Sequence, residues 1–369
     1  MVSLSVALIA LLSLQSRASQ LPERRSPLFP RASSPSSSKC DLYVVSGQDT
    51  TKFEHYTFSD FRALSNYSIN EPPSVTAEED QGQENITSPY FAQPPFSDQW
   101  EIRRGIRNAE STVPMIYSAS NVYITKDPGS GGSETYLTLR TTRLQDFQSV
   151  VQLVSVPDLL HASMRTRMKI LPDGKDGKNV ARGAVVGFFT YESDTQESDI
   201  EILTRDPLDT VQLTNQPASS TTPGASFDST IPHGKHWTDW TEYRIDWFPG
   251  RTLWYLDGKM VFNTTDSVPT DPSNLMFNLW SNGQSFSGTM RVGREVYVAV
   301  QWIEMAYNLN GQGQSSNQTD GKTQCSVDSV HTKGVPEVIK SSSAKHRAVS
   351  RLLDTINSVL FVLIACYCV

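Results

Sequence analysis

Cysteine and histidine are scarce in this chain, with 4 and 6 residues respectively among 369. None stands at the spacing of a zinc site, and His233 and His236 read as loop residues rather than ligands. Positive charge is short as well. The net charge is −7, with no basic stripe and no glycine-rich phosphate loop, which argues against nucleic acid as a partner. No long stretch repeats its apolar residues every 3.6 positions, so a helical fold is disfavoured. Long apolar runs are missing from the body of the chain and occur only at its two ends.

Those ends read as targeting segments. Residues 1–18 carry an apolar stretch from Val6 to Leu14 and a small-x-small site at Ser16-Arg17-Ala18, the pattern of a secretory signal. Residues 19–39 are rich in Pro, Ser and Arg and are expected to be a disordered leader, with Arg24-Arg25 as a processing site. At the other end, the small residues Ser341 to Ala344 precede a polar spacer and a hydrophobic tail over 352–369. That order fits a lipid-anchor attachment signal. A retained tail anchor is the competing reading, but Asp354 and Asn357 leave the apolar part short of the ~20 residues a span needs. The expected product is secreted and held at the cell surface or wall by a glycolipid anchor in the plasma membrane. Four acceptor sequons, at Asn66, Asn85, Asn263 and Asn317, are consistent with glycosylation on that route.

Removing the tail removes Cys366 and Cys368, leaving Cys40 and Cys325 as an expected disulfide that brackets one folded domain, 40–325. A polar Ser/Lys-rich linker would follow over 326–351. Within the domain, short alternating apolar runs recur at 121–124, 136–139, 150–154 and 163–170, separated by Gly/Pro-rich turns. One turn, Pro172 to Gly177, has aspartates that could bind calcium, though it reads better as a hairpin. Asp257-Gly258 between two apolar runs is a strong hairpin signal. The fold class is all-β, of sandwich type.

The most informative stretch is Glu197-Ser198-Asp199-Ile200-Glu201. On a strand, the period of two sends all three carboxylates to one face and Ser198 and Ile200 to the other. The outer glutamates then have Cα atoms about 13 Å apart, at ~3.3 Å per residue. Side chains leaning together would close that to the ~5–5.5 Å carboxyl gap of a retaining glycosidase. A merely acidic, solvated strand face is the bland alternative. The apolar runs on both sides, 183–189 and Ile202-Leu203, favour a strand embedded in a sheet.

These acids are followed in order by Asp246-Trp247-Phe248-Pro249-Gly250, Trp254 to Gly258, Asn278-Leu279-Trp280 and Val298 to Ile303. The ordered set resembles glycoside hydrolase family 16 over about residues 100–308. The resemblance implies a concanavalin A-like jelly roll with a glycan cleft across one sheet. It implies Glu197 as nucleophile, Glu201 as general acid/base and Asp199 as a helper that hydrogen-bonds the nucleophile, with no cofactor and no metal. Trp280 would be an aromatic sugar platform and Asn282 a hydroxyl partner. Gln212 and Asn215 are further candidates for the same face, a turn role before Gln216-Pro217 being the other option for Asn215. Trp247, Trp254 and Trp302 are left to the core. Ser198 stands where the family commonly has an apolar residue, and looser packing behind the strand is expected there. The single residue between Asp199 and Glu201 matches the regular-strand branch of the family, which favours β-1,4 or mixed linkages over pure β-1,3.

The expected function is hydrolysis of cell-wall β-glucan through a glycosyl-enzyme. Cell-wall transglycosylation, with glucan or chitin as acceptor, is the alternative, as is a catalytically silent glycan-binding module. A monomer is expected.

Overall fold

A computed structural model describes residues 40–47, 51–75, 86–132, 134–173, 179–310 and 321–339. The expected signal, leader and hydrophobic tail, together with Asn85 and Asn317, lie outside the described residues.

Two antiparallel sheets pack face to face as a jelly-roll sandwich. Edge to edge, the first runs Trp100–Ile102, Gln148–Ser155, Asn274–Trp280, Val185–Ser193, Gln196–Leu203, Thr210–Gln216 and Ser226–Thr230. In the second, Glu295–Leu309 is flanked on one side by His55–Asp60 and Thr135–Arg143. On its other side come Leu159–Leu171, Thr241–Phe248, Arg251–Leu256 and Lys259–Thr264. The expected runs at 136–139, 150–154 and 163–170 fall inside these elements, and that at 121–124 falls, apart from Asn121, on the strand Val122–Lys126 beside Thr135–Arg143. The cause is alternation. Phe188, Ile200, Leu213, Phe277 and Leu279 from the first sheet meet Met164, Tyr243, Ile245, Trp254, Val298 and Val300 from the second. Each such side chain is worth about 1.5–3 kcal/mol when removed from water. Trp247, Trp254 and Trp302 are all buried, as expected.

A small third sheet lies on the back of the second. Its order is Lys52–Phe53, Leu42–Val44, Gln324–Ser326, Glu337–Val338, with the two middle strands parallel. Val45, Phe53 and Val327 pack on Phe248, Leu253 and Tyr255. Cys40 and Cys325 are bonded, joining residues 285 apart. The expected domain end at Cys325 therefore needs correction, because residues 326–339 belong to the folded body rather than to a linker. Closing so long a loop constrains the unfolded chain, and Cys40→Ser should cost roughly 2–5 kcal/mol. The check is the urea midpoint of the variant against that of the wild type, with an unchanged midpoint refuting it.

In the turn that had been weighed for calcium, the carboxylate of Asp173 accepts from Arg294 Nε and the Glu295 amide. Residues 174–178 lie outside the described part. Asn66 and Asn263 are exposed.

Candidate active site

The strand Gln196–Leu203 sits inside the first sheet, bonded on both sides. Glu197, Asp199 and Glu201 pair with Tyr191, Phe189 and Gly187 on one neighbour, and with Gln216, Thr214 and Gln212 on the other. All nine therefore share the face turned away from the second sheet. One strand further, the same face carries Asn274, Met276, Asn278 and Trp280, and beyond it Gln152. Beneath the acids, Trp254 Nε1 donates to the Asp199 carbonyl at 2.9 Å, which ties the acidic strand to the second sheet. At its start, Gln196 Oε1 accepts from the Thr270 and Asp271 amides at 2.6 and 3.0 Å.

The electrostatics follow from burial. Asp199 is only 2% exposed. Its carboxyl is pushed well above the ordinary range by desolvation, then by the charges of Glu197 and Glu201, against a hydrogen bond from Gln216. Burial raises Glu197 to about 7, with the Asp199 hydrogen bond pulling down, Asp194 pushing up and Arg107 pulling down. Burial and then the charge of Glu197 raise Glu201 to about 8, against the pull of Arg107. Three close carboxyls in a poorly solvated place cannot all be ionised, so the group holds a proton near neutrality. A nucleophile must be charged and an acid must be protonated. If Glu197 and Glu201 take the roles expected from the sequence, the rate should fall below about pH 7 as Glu197 gains a proton, and above about pH 8 as Glu201 loses one. A pH profile of kcat/KM checks this. An acid limb near 4.5, the ordinary glutamate value, would refute it.

Some expected site residues lie with the acids and others do not. Gln212 shares their face, opposite Glu201. Trp280 does as well, and is partly exposed. Asn215 requires correction: it pairs with Ser198 on the opposite, inter-sheet side and is fully buried. There Ser198 Oγ donates to Asn215 Oδ1 at 2.6 Å, while Asn215 Nδ2 donates to Thr252 Oγ1 and the Asp266 carbonyl. Those bonds also correct the expected looseness behind Ser198, since the missing apolar side chain is replaced by a satisfied polar bridge. Asn282 is corrected too. Its Oδ1 accepts from Gln284 N and Ser287 Oγ, and its Nδ2 donates to the Glu110 carbonyl, so the amide shapes its own loop.

Several residues on this face were missed from the sequence. Gln216 bonds Asp199. Tyr117 donates to Gln152 Oε1 at 3.1 Å. Asn278 Oδ1 is buried with no partner among the described residues. It lies across from Gly187, where a Cβ would come within 2.6 Å of it. Arg107, on the three-residue strand Gly105–Arg107, bears on the acids through its charge.

The sequence profile of Glycosyl hydrolases family 16 matches residues 110–304, just over half of the chain. This chain belongs to glycosyl hydrolase family 16. The three acids lie inside the matched region, and Arg107 lies just ahead of it. A beta-glucanase of Paenibacillus polymyxa is 28% identical over 147 residues, covering 36% of this chain and 57% of that protein. A xylanase/beta-glucanase of Ruminococcus flavefaciens is 32% identical over 146 residues, 36% of this chain and 17% of that protein. Crh-like protein 2 of Aspergillus fumigatus is 28% identical over 114 residues, 28% and 26% of the two chains. The family 16 chain thus spans little more than half the length of the first of these relatives. Among solved structures, the Bacillus licheniformis beta-glucanase is similar with a TM-score of 0.46 and 22% identity, over 57% of this chain and 92% of that one.

Proposed function

We propose that this family 16 chain is an endo-β-glucanase that works by a retaining double displacement. The observation that carries the reading is the placement of Glu197, Asp199 and Glu201 on one sheet face, the one turned away from the second sheet, with desolvation holding the outer pair near neutral pKa. Glu197, as carboxylate, attacks the anomeric carbon while Glu201 delivers its proton to the departing sugar oxygen. A glycosyl-enzyme results. Glu201, now charged, takes a proton from the incoming hydroxyl, and attack by that oxygen releases Glu197. Asp199 holds the nucleophile by its hydrogen bond and keeps the shared proton off it.

Water and a sugar hydroxyl are alternative acceptors at the same carbon, so hydrolysis and transglycosylation use one site. The substrate class is β-1,4 or mixed-linkage glucan, and the site of action is the wall outside the cell. The Cys40–Cys325 bridge supports an oxidising compartment, and exposed sequons at Asn66 and Asn263 are consistent with export. Glycolipid anchoring through the tail is part of the same proposal.

The test is product analysis by mass spectrometry on lichenan, laminarin and cello-oligomers, with and without excess chitin or glucan oligomer, plus NMR of the first-formed anomer. Shorter β-anomeric products support the reading, and lengthened ones identify transfer. First-formed α-anomers would overturn the retaining mechanism. Glycan binding with no product would make the chain a silent binding module.

A further inference from the structure

Among the described residues, Arg107 is a cation whose charge bears on the acids and that the double displacement leaves without a task. Its strand, Gly105–Arg107, pairs with Met115–Tyr117, and the latter pairs with Gln148–Ser155 in the region where the two sheets join. The alternation puts Arg107 and Tyr117 on one side of that ribbon, with Ile106 on the other and largely in solvent. The guanidinium carbon lies 4.5 Å from the Trp280 ring centre and 6.0 Å from that of Tyr117.

Three observations set this arginine apart from an ordinary structural one. First, Nη1 is buried and has no hydrogen-bond partner among the described residues. Desolvating a charged donor without giving it an acceptor is costly, and a folded protein rarely leaves such a group idle. Second, the guanidinium lies over the ring of Trp280, which shares the face of the acids, so it stands on the side of the reacting centre, where its charge bears on both Glu197 and Glu201. Its contrast is Arg165, whose guanidinium is enclosed by carboxylates on the back of the molecule. Third, Arg107 covers the Trp280 ring, and that ring also has Phe286 alongside it at 6.3 Å and 19°. A sugar arriving here therefore meets guanidinium N–H groups where an uncovered indole would have offered a stacking surface.

We propose that Arg107 is a substrate-contacting residue: its guanidinium, which the protein leaves short of acceptors, donates to a hydroxyl of the glucan chain lying beside Trp280, so that this arm of the site reads the sugar by hydrogen bonding through the cation. The proposal rests on the glucan reading of the same site. A guanidinium stacked on an aromatic face is held flat and loses little freedom when its fork engages a ligand, which an ammonium on a flexible stem does not match. The acceptor is an uncharged hydroxyl oxygen, so the cation stays unneutralised when sugar is bound and continues to favour the ionised form of Glu197. Arg107 lies three residues ahead of the matched family region of 110–304.

The experiment compares Glu197→Gln, which arrests turnover, with Glu197→Gln/Arg107→Gln and Glu197→Gln/Arg107→Lys. Cello-, laminari- and mixed-linkage gluco-oligosaccharides are titrated by calorimetry, and melting temperature is measured alongside. The Gln variant should bind at least about tenfold more weakly, the scale of one hydrogen bond from a charged donor. The Lys variant should regain only part of that loss. Equal affinities overturn the proposal, and so does a lower melting temperature with affinity unchanged, since both make Arg107 a packing residue. If the wild type forms no product while the affinity contrast persists, the glucanase reading fails and the Arg107 assignment stands. Product formation with equal affinities has the reverse meaning, and a parent that binds none of the oligomers overturns both.

Discussion

Glu201→Gln should abolish turnover of natural β-glucan while sparing formation of the glycosyl-enzyme from an aryl glucoside with an activated phenol. A sugar alkoxide leaves poorly without a proton, and losing a positioned general acid costs about 10²–10⁴-fold. An acidic phenol departs unaided, so its release should show a burst near wild-type rate. The second step then stalls for want of a base, and a small anionic nucleophile such as azide should restart it. Burst kinetics with and without azide check this, and equal losses on both substrates would give Glu201 another job. The same substitution has a stability signature. Burial raises the folded-state Glu201 to about 8 from an ordinary 4.5, so the folded form holds its proton more tightly than the unfolded chain. That contribution is present below the unfolded value and is lost as pH rises through about 8. Gln carries no charge at any pH, so the variant should melt above the wild type in alkaline buffer.

Arg165→Met should produce the largest loss of stability of any single substitution considered, about 3–5 kcal/mol, the scale for breaking a buried ion pair from one side. Arg165 is almost wholly buried, 3.4 Å from Glu304 and in contact with Asp328. Glu304 also takes the Tyr56 hydroxyl and Lys333 Nζ, each at 2.7 Å. Asp246 holds Arg244 through two bonds of 2.7 and 2.6 Å. Methionine fills much of the space but leaves buried carboxylates short of a cation. Urea denaturation checks the size, and a loss below about 1 kcal/mol would mean that the cluster behaves like a surface ion pair. Acid should weaken the same lock. Although burial opposes it, Arg165, Ser46 N and Arg244 hold Asp328 well below its ordinary 3.8. Its contribution is therefore present above the unfolded value and lost as pH falls beneath it.

Much of this was legible in the sequence because period-two alternation is a local property. Five residues, 197–201, were enough to place three carboxylates on one face, and the apolar runs around them supplied the sheet. The same rule, applied more strictly, would have separated Gln212 from Asn215, since residues an odd number apart on a strand face opposite ways. What alternation cannot show is which distant strand arrives alongside. Arg107 lies about ninety residues upstream of the acids, on a strand too short to have a pattern. Likewise, Asp328 and Lys333 sit in a polar run that composition reads as linker, and only their partners Arg165 and Glu304, set far back in the chain, reveal that the run is folded. Asn282 erred differently: its type suited a sugar hydroxyl equally well, but its loop claimed the amide first.

The stapled sheet on the back has a consequence for presentation. Residue 40 enters the folded body and residue 339 leaves it on the far side from the acids, close to the same bridge. A tether fixed to that rear sheet would therefore grip the molecule by the side opposite the acids and leave their face unobstructed by its own leash.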